Sequence, residues 1–294
     1  MTRKLGKTGW LIIAALLAVA AGIGVNAWWT ARVEARVDLS RKLVGRWAAD
    51  GSKNPLVAGG PLNLTGAVSR AWARSAIGLS FQGTTGKASV PDSPGLAVRG
   101  AQNFSVTAWV QPMPAANNSF GVMSIVEKRK VGGIATARGF SLHLEYGHLS
   151  CQLSPAPGLA FTRADIVAPA RWIAIWKSRN ALAPVNRFVS DGPDLTDGKF
   201  HHVALTVNRS SSTGGKLWVD GTVVLTFDPM KLRGTMVNSE PLLIGTHPDT
   251  TLQCAFKGKI EDVRFYSRGL SQKEIELLAS APEVKRAEEN SKIE

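Results

Sequence analysis

TDGKFHHVALTVNRSSSTGGKLWVDGTVVLTF, residues 196–227, is the stretch from which the fold can be read. Val203, Leu205 and Val207 alternate with smaller or polar residues, the two-residue period of a strand that buries one face. Leu217 and Val219 repeat the pattern, and after Asp220-Gly221 so do Val223 and Leu225. Asp-Gly tolerates the positive φ of a tight turn, so Lys216 to Phe227 reads as a β-hairpin. Ser210 to Gly215, all small, polar or glycine, reads as the connector before it. Three successive antiparallel strands follow from this one stretch.

The totals agree with a large β domain. At 294 residues, 44% of them hydrophobic, the chain can bury a full core, which points to one all-β domain plus an appendage. A net charge of +13 favours anionic surfaces but does not choose among nucleic acid, phospholipid and acidic glycan. Only two cysteines occur, Cys151 and Cys254, so no disulfide framework or four-ligand zinc site is available. One disulfide in an oxidising compartment and two buried free thiols both remain open.

The appendage is N-terminal. Arg3, Lys4 and Lys7 precede an uncharged, mostly apolar run from Thr8 to Ala31. From Trp10 to Trp29 this segment would span roughly 28 Å as a helix, close to the hydrocarbon thickness of a bilayer. Trp10 stands at one edge and Trp28-Trp29 at the other, where interfacial tryptophans belong. The basic flank is the N-terminal one, which leaves residues 1–9 in the cytoplasm and the β domain outside. The rival is a cleaved signal peptide with Val25-Asn-Ala27 as its site. The length of the apolar run, and the exposure of two tryptophans that cleavage would cause, favour a retained transmembrane helix at 10–29. Residues 30–42 then form a short stalk.

Further strands are expected along the chain. Phe140-Ser-Leu-His-Leu-Glu-Tyr146, Gly147 and His148-Leu-Ser-Cys-Gln-Leu153 read as a second hairpin, and Ser52 to Thr65 as a Gly/Pro/Asn-rich loop. Ser271 with Glu274 three residues on is a capping box, which starts a short helix towards Leu278. Residues 280–294 are charged with mixed sign and read as a tail.

These segments resemble, in order, the laminin-G-like jelly roll of the concanavalin A-like lectin/glucanase superfamily. The resemblance rests on LVGRWAADG from Leu43 and on Gly78–Gly83 with Ala88–Asp92. It continues through NFSVTAWVQP from Asn103, FHHVALT with LWVDG, Leu242–Gly245 and FKGKIEDVRF from Phe256. It implies a two-sheet antiparallel jelly-roll sandwich over residues 43–279. It also implies that His201 and His202 are structural, one ring inward and one outward, with Asp220 and Gly221 forming the hairpin turn. Many sandwiches of this class hold calcium at a rim. Here the corresponding loop, Gly51 to Gly60, has no carboxylate and Asp50 alone cannot hold the ion tightly, so no cofactor is expected, with calcium as the alternative that the resemblance leaves open.

One segment departs from that pattern. An insert at about 155–193 carries Arg171, Trp172, Trp176, Lys177, Arg179 and Arg187. Two readings stand: tryptophans of an ordinary core strand, or a docking surface, since Trp and Arg dominate interface hot spots. Catalytic signals are weak. The glucanase version of the fold uses carboxylates in an E-x-D-x-x-E run, whereas the best cluster here is Glu261-Asp262, which adjacent strand positions point to opposite faces. Glu261 and Asp262 are therefore expected to be solvent-facing charges or to hold a turn by hydrogen bonds. His201 and His202, also adjacent, cannot chelate one ion together.

The sequence thus points to a non-catalytic, membrane-anchored extracytoplasmic module, periplasmic or at the cell surface. It meets lipid through its helix and docks on a protein partner, as an accessory or structural subunit of a membrane complex. The alternative is a carbohydrate-binding lectin-type module. Nucleic acid is not expected as a partner.

Overall fold

The computed structural model describes residues 37–49, 61–114, 121–131, 138–155, 186–232, 234–250 and 253–281. The apolar segment with Arg3, Lys4, Lys7, Trp10, Trp28 and Trp29, residues 50–60 and residues 282–294 lie outside them. Among the described residues no helix is long and apolar enough to cross a membrane. The chain divides into Met1–Arg41 and a compact unit from Lys42 onward, and it is the second that carries the sandwich.

Fifteen strands and one α-helix are described. They begin with β1 (Leu43–Trp47), β2 (Asn63–Thr65), β3 (Val68–Trp72), β4 (Ile77–Gln82), β5 (Lys87–Val90) and β6 (Phe104–Pro112). β7 (Val122–Lys130), β8 (Arg138–Glu145), β9 (His148–Ser154), β10 (Arg187–Val189) and β11 (His201–Val207) follow. β12 (Gly215–Val219), β13 (Thr222–Phe227), β14 (Leu242–Ile244), β15 (Lys257–Tyr266) and α1 (Gln272–Ala279) complete the unit. The first sheet runs β13-β12-β11-β6-β15-β4-β3, with β1 also on β15; the second runs β10-β9-β8-β7-β14-β5-β2. All pairings are antiparallel. This is the expected all-β, two-sheet jelly-roll sandwich.

Alternation explains the packing. Val203, Leu205 and Val207 of β11 face Ala108, Val106 and Phe104 of β6, and all of them lie in the core between the sheets. Phe104 and Phe265 from the first sheet meet Phe140 from the second, with ring centroids 5.0 and 5.6 Å from Phe140. Each ring taken out of water contributes about 1.5–3 kcal/mol, so this trio is a main tie between the layers. At one margin Phe188 of β10 stacks on Phe227 of β13 at 3.9 Å, which closes the two sheet edges together.

The hairpin turn forms as expected, with Asp220 at φ 48° and Gly221 at φ 82°. So does the capping box: Glu274 N donates to Ser271 Oγ, and Ser271 N donates to Glu274. Three results differ from the sequence reading. Asn63–Thr65, at the end of the expected loop, is a strand whose register comes from β5 (Asn63 opposite Ser89), not from any alternation of its own. β7 escaped notice because a bulge between Ser124 and Val126 places Ile125 and Val126 both in the core, which breaks the two-residue period. β10 lies inside the stretch read as an insert, too short at three residues to show a pattern.

Candidate functional site

The two sheets treat their outer faces differently. On β8 the core takes Phe140, Leu142 and Leu144, so Ser141, His143 and Glu145 project from the opposite face. By register Glu127 and Arg129 of β7, Ser150 and Gln152 of β9, and Arg187 of β10 share that face. All of these side chains but the half-buried Arg187 are buried, and hydrogen bonds and ion pairs tie most of them together, although Gln152 Nε2 is left without a partner among the described residues.

Two chains of contacts cross the face. In one, Ser124 Oγ donates to Glu127 at 3.1 Å, Arg129 Nε donates to the same carboxylate at 2.8 Å, and Arg129 also reaches Gln152 Oε1. In the other, Ser141 Oγ lies 3.1 Å from His143 Nδ1, and His143 Nε2 lies 2.9 Å from Glu145 Oε1. Arg187 closes that chain with a two-pronged ion pair to Glu145. Burial, then the charges of Arg187, Arg129 and His247, hold His143 well below its ordinary pKa. It is therefore neutral, with Nε2–H donating to Glu145 and Nδ1 accepting from Ser141. Burial and Arg129 lower Arg187 to about 9, which still leaves it a cation at neutral pH.

The connectivity Ser141–His143–Glu145 copies that of an acyl-transfer triad, but its setting does not. The Ser141 hydroxyl is buried, and Glu145 is committed to Arg187. Glu127 lies opposite Ser141, so Glu145 sits four residues further along, roughly 13 Å away. Paired carboxylates of glycoside hydrolysis stand about 5–10 Å apart.

β8 carries this face up to a rim. Its last turn is Tyr146-Gly147, with φ 49° and 85°, and Tyr146 is 38% exposed. A large aromatic in the left-handed region costs roughly 1 kcal/mol, where Asn or Gly would cost little. The ring is held in place nonetheless. Tyr146 N donates to Gly121 O at 2.6 Å, and any side chain at Gly121 would strike the ring. The loop that follows β10 lies alongside: Leu195 N donates to Gly147 O, and His148 Nδ1 to Gly192 O at 2.8 Å. Asp194 abuts Gly147, and its carboxylate accepts from Thr196 N at 2.8 Å and Thr196 Oγ at 2.6 Å. The turn thus presents an exposed aromatic at Tyr146, with an anchored carboxylate, Asp194, against the adjoining Gly147.

The residues singled out from sequence are distributed as follows. Arg187 is not a free docking arginine; its guanidinium is paired with the buried Glu145 carboxylate. Arg171, Trp172, Trp176, Lys177 and Arg179 lie outside the described residues. His202 packs edge-on to Trp109 at 5.3 Å on the outer face of the first sheet, and burial pushes it down to about 4. His201 is half-buried between Asp197 and Asp220. Glu261 does hold a turn: it accepts from Arg74 N at 2.7 Å and from Ser75 N and Oγ. It is buried, not solvent-facing, and Asp262 beside it sits in a bulge at φ 53°. Cys151 and Cys254 are free, buried thiols. Cys151 belongs to the apolar core, whereas the Cys254 carbonyl accepts from Ser124 N and burial pushes its thiol up to about 12. The sequence reading missed the polar row and Tyr146. For the polar row the signal was there in Phe140–Glu145, where every second residue is polar.

A family model described as concanavalin A-like lectin/glucanases superfamily matches residues 82–276. No curated protein matches the chain. Among solved structures, the binding domain of Paraclostridial Mosquitocidal Protein 1 is similar with TM-score 0.60 at 13% identity, covering 82% of this chain and 52% of that one. The botulinum neurotoxin serotype G binding domain is similar at 0.55 and 12%, covering 81% and 50%. The receptor binding domain of botulinum neurotoxin D is similar at 0.55 and 14%, covering 82% and 53%. This chain spans about half the length of those it matches, and identities this low speak for the fold alone.

Proposed function

The chain belongs to the concanavalin A-like lectin/glucanases superfamily, and from that premise we propose that it is a non-catalytic binding module whose contact surface is the rim around Tyr146. The observation that carries this reading is the strained, exposed Tyr146 itself. Backbone strain persists where the surroundings enforce it, and it clusters at functional sites. Tyrosine offers a large, rigid, amphipathic contact at low entropic cost. The ion-paired face beneath serves as a stiff platform, because each charge on it is already matched. The non-catalytic reading is supported by the burial of Ser141 and by the spacing of Glu127 and Glu145.

The apolar run Trp10–Trp29 supports anchoring of the module outside the cytoplasmic membrane, where tethering raises its effective concentration at the bilayer. The partner in this reading is a protein of a membrane complex, and the Trp/Arg-rich sequence from Arg171 to Arg179 adds to that case. A glycan is the second reading, favoured by one feature: the turn carries an exposed Tyr146, and the Asp194 carboxylate lies against the adjoining Gly147, groups of the kind that sugar faces and hydroxyls meet. Mild-detergent extraction with sizing, and a glycan array, are to be run on wild type and Tyr146→Asn in parallel. The proposal expects co-migration with a defined assembly, or glycan binding, that weakens about tenfold or more in the variant. Binding that Tyr146→Asn leaves untouched overturns the rim as the contact surface.

A further inference from the structure

His201 sits between two acceptors. Its Nδ1 is 2.8 Å from Asp220 Oδ2 and its Nε2 is 3.1 Å from Asp197 Oδ1. An ionised carboxylate can only accept, so both ring nitrogens must carry a proton for both contacts to exist. The two carboxylates belong to different parts of the molecule. Asp220 is built into the β12–β13 turn, and its second oxygen accepts from His202 N at 2.7 Å. Asp197 belongs to the rim loop, where it accepts from Lys199 N at 2.9 Å. His201 therefore ties the loop to the sandwich only while it is an imidazolium.

We infer that His201 is a proton-operated latch on the rim loop from Asp194 to Lys199. When the imidazolium loses a proton, one ring nitrogen presents a lone pair to a carboxylate and that contact must break. The Asp197 contact is the one to go, being the longer and the one on a loop. The loop then keeps Leu195 N to Gly147 O and Gln111 Nε2 to Gly198 O at 2.7 Å, but loses its grip on the first sheet at Asp197.

The carboxylates around the latch favour the cation. Asp197 faces His201 from the loop and Asp220 from the turn, while the cationic Lys199 Nζ lies 3.3 Å from Asp197. Glu276 of α1 lies across that turn beside Gly221. β6 offers only the neutral Val110 and Gln111, and the neighbouring His202 is uncharged. The hydrogen bond to Asp220 raises the His201 pKa against the opposing effect of burial, and Asp197 adds to the rise. Lys199 N and then His201 bring Asp197 down to about 2. A raised histidine stabilises fully below its unfolded value of about 6.5, and that stabilisation is lost as pH climbs through the folded value. Depressed carboxylates stabilise above about 4 and fail only in strong acid. The latch is thus closed from acid pH, where Asp197 is already ionised, up past about 6.5, and it opens as pH climbs through the raised pKa of His201. The latch stands on the fold; its effect on binding rests on the rim reading.

The test is hydrogen exchange of the full chain, wild type against His201→Gln and Asp197→Asn, at pH 5.5 and pH 8.5, each rate corrected for intrinsic exchange. At pH 5.5 the amides of residues 194–200 are expected to exchange about threefold faster in both variants than in wild type. At pH 8.5 the three proteins should agree. A difference of the same size at both pH values makes the contact a pH-independent tie and overturns the latch, as does no difference at either. Imidazole nitrogen shifts of His201 provide the second reading. Both nitrogens protonated at pH 7 supports the latch, and a midpoint at or below 6.5 contradicts it.

Discussion

The outer faces of the two sheets solve the same problem in opposite ways. On the first sheet the outer side of β11, β6 and β12 carries His202, Trp109 and Trp218, and the chain covers it with its own elements. α1 packs there through Ile275 and Leu278, Leu270 N donates to Ser105 Oγ, and the β3–β4 turn is pinned down by Glu261. Arg74 lies over the Trp109 ring, its Cζ 3.6 Å from the centroid, and also reaches Ala281 O. The second sheet instead presents Glu127 paired with Arg129 and Glu145 paired with Arg187, with the neutral His143 hydrogen-bonded to Glu145. The comparison teaches where a partner would find purchase. The first face is occupied by the chain itself, and the second leads to an exposed rim.

The largest effect is expected from breaking a pair on the second face. Arg187→Met strands the Glu145 charge and is expected to cost about 3 kcal/mol, lowering Tm by about 10 °C in thermal unfolding. Adding Glu145→Gln removes the stranded charge but still accepts from His143, so the double variant should recover more than half of the loss. Failure to recover would mean that the arginine acts through its packing rather than through the pair.

Next comes the first face. Glu261→Ala leaves Arg74 N, Ser75 N and Ser75 Oγ without their acceptor and is expected to cost about 2 kcal/mol by urea unfolding. Loss of protection should concentrate at residues 73–76 and around Ala281, not at the rim, which would show that the two faces are energetically separate. Trp218→Phe is milder, because it removes the single 2.9 Å bond from Trp218 Nε1 to Thr206 Oγ and some packing; about 1 kcal/mol is expected. The smallest effect has the opposite sign. Tyr146→Asn relieves a left-handed tyrosine and should raise stability by up to about 1 kcal/mol.

What the sequence revealed, and what it hid, follows the same physics. Strands such as β11, β12 and β13 alternate regularly and end in Asp220-Gly221, so period and turn chemistry were enough to place them. The Ser271–Glu274 box announced α1 for the same reason, being a local signal. β7 was obscured by its bulge, and β2 and β10 by brevity, since their positions are set by partners elsewhere in the chain. The site was less legible. Ion pairs such as Arg187–Glu145 join residues 42 positions apart, and only the sheet register brings them together. Arg187 therefore looked like a docking residue when read beside Arg179 and Trp176. Tyr146 gave no warning, because its importance lies in a backbone angle.

The most direct test of the rim as the binding surface is to measure Tm and partner or glycan binding on the same preparation of Tyr146→Asn. The account predicts that Tm stays level or rises by up to about 3 °C while binding falls at least tenfold. A lower Tm with binding intact would contradict it, since Tyr146 would then be a structural residue and the contact surface would lie elsewhere.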